Sequence, residues 1–316
     1  ADYGVVDNLY TSTLAVTGGT APFTWTQSGG DVLTGLSLNA GTGIVSGTPT
    51  VAGNFTSTFT VTDSTGKTAI GSVLFAIHPR TDRVSVDTNG NSVAGATNTE
   101  PSISRTAGRF IAFTSTGSTL IAGVVGQQIY VHDRQTGQPS LASKSSLGSA
   151  GTGGVSSAAS VSADGRFIAF ASTATNLVSS VSGQQIYLHD TQTSVAFPNG
   201  QTTLVSKNNS GTVGDGLSKT PTISNDGRFI AFASASSNLV AGISGAQIYR
   251  HDTQTTVAFP NGQTLPVSID ESGVAGVGVS TAPVIIDDGS VAAFVSTSPL
   301  VPGAAAASDI YVRALP

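Results

Sequence analysis

Apolar and polar residues alternate over short runs along almost the whole chain. In Thr13-Leu14-Ala15-Val16-Thr17 and Ser57-Thr58-Phe59-Thr60-Val61-Thr62 the apolar side chains fall on one face, the period of a half-buried strand. Gly18-Gly19-Thr20-Ala21-Pro22 and Asp63-Ser64-Thr65-Gly66 read as the turns between such strands. The only tryptophan, Trp25, shares a strand face with Phe23, a position for core filling. Farther along, the runs recur as a unit. Arg166-Phe167-Ile168-Ala169-Phe170 followed by Gln185-Ile186-Tyr187-Leu188-His189-Asp190 has an earlier copy at Arg109-Phe110-Ile111-Ala112-Phe113 with Gln128-Ile129-Tyr130-Val131-His132-Asp133. A later copy runs Arg228-Phe229-Ile230-Ala231-Phe232 with Gln247-Ile248-Tyr249-Arg250-His251-Asp252, and a weaker one Ser290-Val291-Ala292-Ala293-Phe294 with Asp309-Ile310-Tyr311-Val312-Arg313. Their tyrosines stand 57, 62 and 62 residues apart, which predicts a repeat architecture with one sheet per repeat.

Each repeat reads as a first strand (Ser102 to Ser104, Ala159 to Ser162, Thr222 to Ser224, Val284 to Ile286), a turn, the Phe-rich strand and the Gln-Ile-Tyr strand. Asp164-Gly165, Asp226-Gly227 and Asp288-Gly289 suit tight turns that need positive φ. The first copy has Thr106-Ala107-Gly108 there and predicts a different turn. A fourth strand follows at Thr203-Leu204-Val205-Ser206 and Leu265-Pro266-Val267-Ser268, with a poorer version at Ser140-Leu141-Ala142-Ser143. Arg83-Val84-Ser85-Val86-Asp87 matches that strand but stands ahead of the first repeat, while the last repeat ends after its third strand. The offset predicts a four-bladed β-propeller in which residues 83–87 pair with the last blade, beside 309–313, and so leave no open edge. The predicted fold is all-β: a β-sandwich over residues 1–79 and a four-repeat propeller over 80–316, joined by the short linker His78-Pro79-Arg80-Thr81.

Composition narrows the classes. A chain of 316 residues supports two domains with full cores. With 10 % charged residues and a net charge of −5 there is no basic field for nucleic acid or an anionic membrane. No apolar run approaches the roughly 20 residues of a membrane-spanning helix. The chain has neither Met nor Cys, so Ala1 reads as an end left by processing or by excision from a longer chain, and disulfides and thiolate metal sites are excluded.

Thr17-Gly18-Gly19-Thr20-Ala21-Pro22-Phe23-Thr24-Trp25, then Gly35-Leu36-Ser37-Leu38-Asn39 with Thr42-Gly43-Ile44-Val45-Ser46-Gly47-Thr48-Pro49, and Phe59-Thr60-Val61-Thr62-Asp63, resemble immunoglobulin-like domains of bacterial surface proteins. That resemblance implies an Ig- or cadherin-like spacer or adhesive module without catalysis. Some relatives hold Ca²⁺ at domain junctions, but here Asp63 and Asp82 are isolated in sequence, and no metal is expected. Val161-Ser162-Ala163-Asp164-Gly165-Arg166-Phe167-Ile168-Ala169-Phe170 and Ile186-Tyr187-Leu188-His189-Asp190 resemble TolB-like or WD40-like propeller repeats. Such repeats serve mainly as binding platforms.

His132, His189 and His251 recur in three repeats, each followed by an Asp. Metal ligands must converge, whereas equivalent strands of separate blades do not, so a structural role is expected, with Asp133, Asp190 and Asp252 taking backbone hydrogen bonds in turns. The two glutamates, Glu100 and Glu271, suggest no glycosidase pair, and no nucleophile elbow is present. The repeated Phe110, Phe167, Phe229, Tyr130, Tyr187, Tyr249 and Tyr311 follow the blade period and predict packing between blades. Asn54 and Asn208 are glycan acceptors wherever the producing cell glycosylates. No catalytic, cofactor-binding or metal-binding residue is therefore predicted. The expected function is non-enzymatic: a secreted or cell-surface adhesion or scaffold protein whose partners are other proteins, copies of itself included, with self-assembly into a filament as a specific version. The alternative is glycan binding or hydrolysis at the propeller mouth.

Overall fold

The computed structural model describes residues 3–304 and 307–316; the chain end read at Ala1 lies outside them. The described residues form strands, turns and bends and no helix. The chain divides into two compact units, Ala1–Arg83 and Val84–Pro316, a boundary slightly beyond the one read from the sequence.

In the first unit the alternating runs become seven strands: β1 (Tyr3–Val5), β2 (Tyr10–Thr13), β3 (Thr24–Gly30), β4 (Leu36–Asn39), β5 (Ile44–Gly47), β6 (Gly53–Thr62) and β7 (Thr68–His78). One sheet has the order β1-β7-β6-β3, the other β2-β5-β4. Their inner faces enclose Tyr10, Leu14, Trp25, Val45, Phe59 and Phe75, so Trp25 fills the core, with Phe23 packed at its margin. Asp63 organises the turn from β6 to β7, accepting from the backbone N–H of Thr65 and Lys67 at 2.9 Å each and from Thr20 at 3.1 Å.

The second unit is built from four consecutive sheets. β8 (Asn98–Ile103), β9 (Phe110–Ser115), β10 (Gln128–Asp133) and β11 (Gln138–Leu141) make the first. β12 (Ser156–Val161), β13 (Phe167–Ser172), β14 (Gln185–Asp190) and β15 (Gln201–Leu204) make the second. β16 (Ser218–Ile223), β17 (Phe229–Ser234), β18 (Gln247–Asp252) and β19 (Gln263–Pro266) make the third. The fourth has three strands, β20 (Ser280–Ile285), β21 (Val291–Ser296) and β22 (Asp309–Ala314). All are antiparallel meanders in one register, with Phe113 opposite Tyr130, Phe170 opposite Tyr187, Phe232 opposite Tyr249 and Phe294 opposite Tyr311. These pairs stack at 5.8–6.0 Å.

Each sheet offers an aliphatic face to the aromatic face of the next. Ala169, Ala171, Ile186 and Leu188 of the second pack on Ile230, Phe232 and Tyr249 of the third. Ala233 and Ile248 of the third pack on Phe294 and Tyr311 of the fourth. The turn glycines make this approach possible. Gly165, Gly227 and Gly289 adopt φ of 74°, 78° and 74°, and a Cβ on each would run into the ring of Phe110, Phe167 or Phe229 of the preceding sheet. In the first copy both Ala107 and Gly108 have positive φ, so that turn differs as its sequence predicted.

The first strands begin three or four residues earlier than the sequence suggested, because each contains a bulge that breaks the alternation. The register shifts after Thr99, Ser157, Lys219 and Thr281, with positive φ at Glu100, Ala158, Thr220 and Ala282. The expected pairing of residues 83–87 with 309–313 is not formed. Val86 bridges Ser92 within its own loop, and among the described strands β22 pairs with β21 alone. Residues 83–87 instead use their backbone within their own turn, where Asp87 N donates to Asn91 O at 2.9 Å, while the first and fourth sheets meet through the Arg105 side chain on Asp287 and the Ile285 carbonyl.

Candidate interaction surface

The recurrent charged and polar residues prove to be joints within and between sheets. Arg109, Arg166 and Arg228 each form a two-pronged ion pair with Asp133, Asp190 and Asp252, at 2.7–2.9 Å, while lying 4.5–4.7 Å over Phe110, Phe167 and Phe229. The same carboxylates accept the backbone N–H of Gln135, Gln192 and Gln254 in the following turn, each at 2.9 Å. Bonding from Arg109 is the main reason the Asp133 carboxyl falls to about 2, against the opposing effect of burial.

The histidines are buried in three different sheets. His189 Nδ1 lies 2.8 Å from Thr202 Oγ1, and His251 Nδ1 2.9 Å from Thr264 Oγ1. Those threonines donate onward to the carbonyls of Lys144 and Lys207 in the preceding connector. Opposite His132 stands Pro139, which has no hydroxyl. Burial pushes His189 down to about 4 and His251 to about 3, with Lys144 and Lys207 adding to it. Glu100 bonds across two sheets, accepting from Thr114 Oγ1 at 2.8 Å and from Ala158 N at 2.7 Å; Glu271 is exposed on a turn. Asn54 is exposed, whereas Asn208 uses its amide nitrogen on the Asn238 carbonyl at 3.3 Å.

A joint that the sequence reading missed is a glutamine clasp. Gln128, Gln185 and Gln247 open the third strands and are buried. Each donates to a glycine carbonyl in the connector leading to the next sheet, Gly151, Gly214 or Gly276, at 2.7–2.9 Å. Each also accepts from a connector serine, Ser143, Ser206 or Ser268, at 2.6 Å, and that serine takes the N–H of the residue after the glutamine at 2.8–2.9 Å. The recurrence of Gln was the available signal, but its partners include main-chain carbonyls, which no residue type marks.

The fourth sheet is the last of the described sheets in chain order. Its aliphatic face, equivalent to the one that covers the next sheet in the other three, carries Ile310 and Val312 at 78 % and 70 % exposure, with Val284 and Ile286 beside them. At the opposite end Ile103 is 58 % exposed, where Val161, Ile223 and Ile285 are 5 %, 2 % and 0 %. The first strands pack on one another in order, β8 with β12, β12 with β16 and β16 with β20. At their ends Ala163 N donates to Asn225 O and Asn225 N to Asp287 O. Arg105, at the equivalent place in the first sheet, reaches the Asp287 carboxylate and the Ile285 carbonyl with its side chain.

Two grooves accompany these surfaces. One of about 350 Å³ runs in the first unit beside Ala69–Val73 of β7, floored by Trp25, Phe59 and Val61. Another of about 300 Å³ lies between the second and third sheets, lined by Gln201, Thr203, Thr253, Thr255 and Asn261.

Residues 3–77 match the family described as Putative Ig domain. No curated protein matches the chain. Among solved structures it is similar to TolB from Acinetobacter baumannii, with 18 % identity over 82 % of this chain and 46 % of that one and a TM-score of 0.39. It is also similar to the tricorn protease, with 9 % identity over 90 % of this chain and 27 % of that one and a TM-score of 0.39. For the periplasmic gluconolactonase PpgL of Pseudomonas aeruginosa the values are 14 %, 84 %, 66 % and 0.33. The chain thus spans about half or less of the first of these structures.

Proposed function

We propose that the chain is a non-enzymatic protein-contact unit of a secreted or cell-surface assembly, in which the Ig-like module and the four repeat sheets act as adhesive or scaffolding parts. Its second unit is read as propeller blades whose last joint is completed on assembly. The observation that carries this reading is the bare aliphatic face of the fourth sheet, with Ile310 and Val312 turned to solvent. Neighbouring exposed aliphatics beside an unpaired strand edge mark a contact surface. Purified chain should associate as concentration rises in light scattering and sedimentation. A species that stays monomeric at high concentration and retains no protein partner would remove the proposal.

A second reading is glycan binding, favoured by the groove of amide and hydroxyl side chains between the second and third sheets. Binding or turnover in a polysaccharide screen, lost on Asn261→Ala, would establish it over the first.

A further inference from the structure

The contact surface of the proposed function acquires a specific partner when the three joints between sheets are compared with the two unmatched ends. A connector between sheets is held from two sides. Residues 205–214 are clasped upstream by Gln185 and by Ile186, whose N–H reaches Ser206 and whose carbonyl accepts Val205 N at 2.8 Å. Downstream, Val205 packs on Ile230, Phe232 and Tyr249 of the third sheet. Residues 142–151 and 267–276 are held in the same way.

Residues 84–95 are a fourth connector of the same shape. Val86 bridges Ser92 as Lys144 bridges Ala150, Lys207 bridges Val213 and Ile269 bridges Ala275. This places Val84 and Ser85 at the positions of Val205 and Ser206. The downstream side is satisfied, since Val84 and Val93 pack on the Phe113–Tyr130 face of the first sheet. The upstream side is empty. Ser85 is half-buried where Ser143, Ser206 and Ser268 are fully buried, and its hydroxyl makes no hydrogen bond among the described residues.

The fourth sheet presents the reverse situation. It has the upstream half of a joint, and none of the described residues covers it as a connector. Asp309 occupies the clasp position of Gln128, Gln185 and Gln247, and Ile310 that of Ile186. A carboxylate, like an amide oxygen, accepts a serine hydroxyl. The rims also match in charge: Arg105 belongs to the connector end and Asp287 to the open end, and they already pair within one chain through exposed side chains. An ion pair that exposed contributes little and is readily exchanged.

We propose that the open face of the fourth sheet binds the 84–95 connector of a second copy of this chain, continuing the stack from one molecule into the next. Ser85 of the incoming copy donates to Asp309 and accepts from Ile310 N, Val84 N donates to Ile310 O, and Ile310 and Val312 cover the incoming first sheet. The contact is heterologous, so it propagates head to tail unless the rotation closes it. The proposal rests on the protein-contact reading above and names its partner.

The absence of cysteine makes the test direct. Val84→Cys and Ile310→Cys are made separately, one with isotope label, then mixed and oxidised mildly. A disulfide joining one labelled and one unlabelled chain through these positions is expected, and the V84C/I310C double variant should give a ladder of oligomers. A double variant that closes only on itself, or no disulfide at all, overturns the second-copy joint; closure within one chain also covers the face on which the contact reading rests, whereas absence of any disulfide leaves that reading standing. Ile310→Asp should abolish association with Trp25 fluorescence and far-UV dichroism unchanged. Asp309→Gln, which restores the internal clasp, should tighten association about tenfold, as expected for one further satisfied hydrogen bond. Unchanged association in both variants would count against the joint.

Discussion

Asp190 receives two parallel hydrogen bonds from Arg166, Nε to Oδ1 and Nη2 to Oδ2, both at 2.7 Å, while the same guanidinium lies 4.5 Å from the centre of the Phe167 ring. Planarity serves both contacts at once, which an ammonium cannot reproduce. Arg166→Lys should therefore cost about 0.5–1 kcal/mol, an amount limited by the partial exposure of the pair. A double-mutant cycle with Asp190→Ala, read by urea unfolding, checks it; a coupling energy of zero would show the pair to be ornamental.

The glutamine clasp should be worth more, because it is buried. Gln185→Ala leaves the Gly214 carbonyl and the Ser206 hydroxyl without their partner. Unsatisfied buried groups of this kind predict a loss of about 2–3 kcal/mol. The denaturant midpoint should fall with Trp25 emission in the native chain unaltered.

Gly227→Ala combines two penalties, a left-handed backbone and a methyl group driven against Phe167. The expected cost is about 2–4 kcal/mol. Gly242, which also has positive φ but open space around it, is the control and should lose only the backbone part, measured by the same thermal melt.

Acid should act in two stages. His189 and His251 have folded pKa values of about 4 and about 3, below the unfolded value of about 6.5, so the unfolded chain takes up protons first. Stability is full above about pH 7 and falls as pH drops through 6.5 toward 4, by about 1–2 kcal/mol for each histidine at pH 5. Asp133 acts lower. Its depressed pKa supports the fold above the unfolded value of about 3.9, and that support vanishes as pH falls toward about 2. Melting curves from pH 7 to 2 would show both; a flat profile between pH 7 and 5 would contradict the burial of the imidazoles.

The strands of each meander were legible because Phe-Ile-Ala-Phe and Gln-Ile-Tyr recur as short, largely apolar runs, buried on both faces of a sheet. The bulges were not, since Ala158, Thr220 and Ala282 are residue types that seldom take positive φ, and only the approach of the neighbouring first strands selects that conformation. His189 and His251 were read as structural, yet their threonine partners lie thirteen residues on and pair through sheet register, which local pattern does not encode. Residues 83–87 illustrate the converse. Their similarity to a fourth strand is real, but a strand needs a neighbour, and sequence identity of type does not say where that neighbour is. The same count of strands predicted a fourth sheet completed by residues 83–87; its three-stranded form became visible only in the structure, with Ile310 and Val312 exposed.

Because every clasp uses one glutamine, one serine and one glycine carbonyl in the same arrangement, the array has no privileged interior position. An extra block copied from the third repeat and spliced in behind Pro266 would meet ready-made partners before and behind it. Gene duplication could thus add a sheet to such a protein with the same clasp on either side of it.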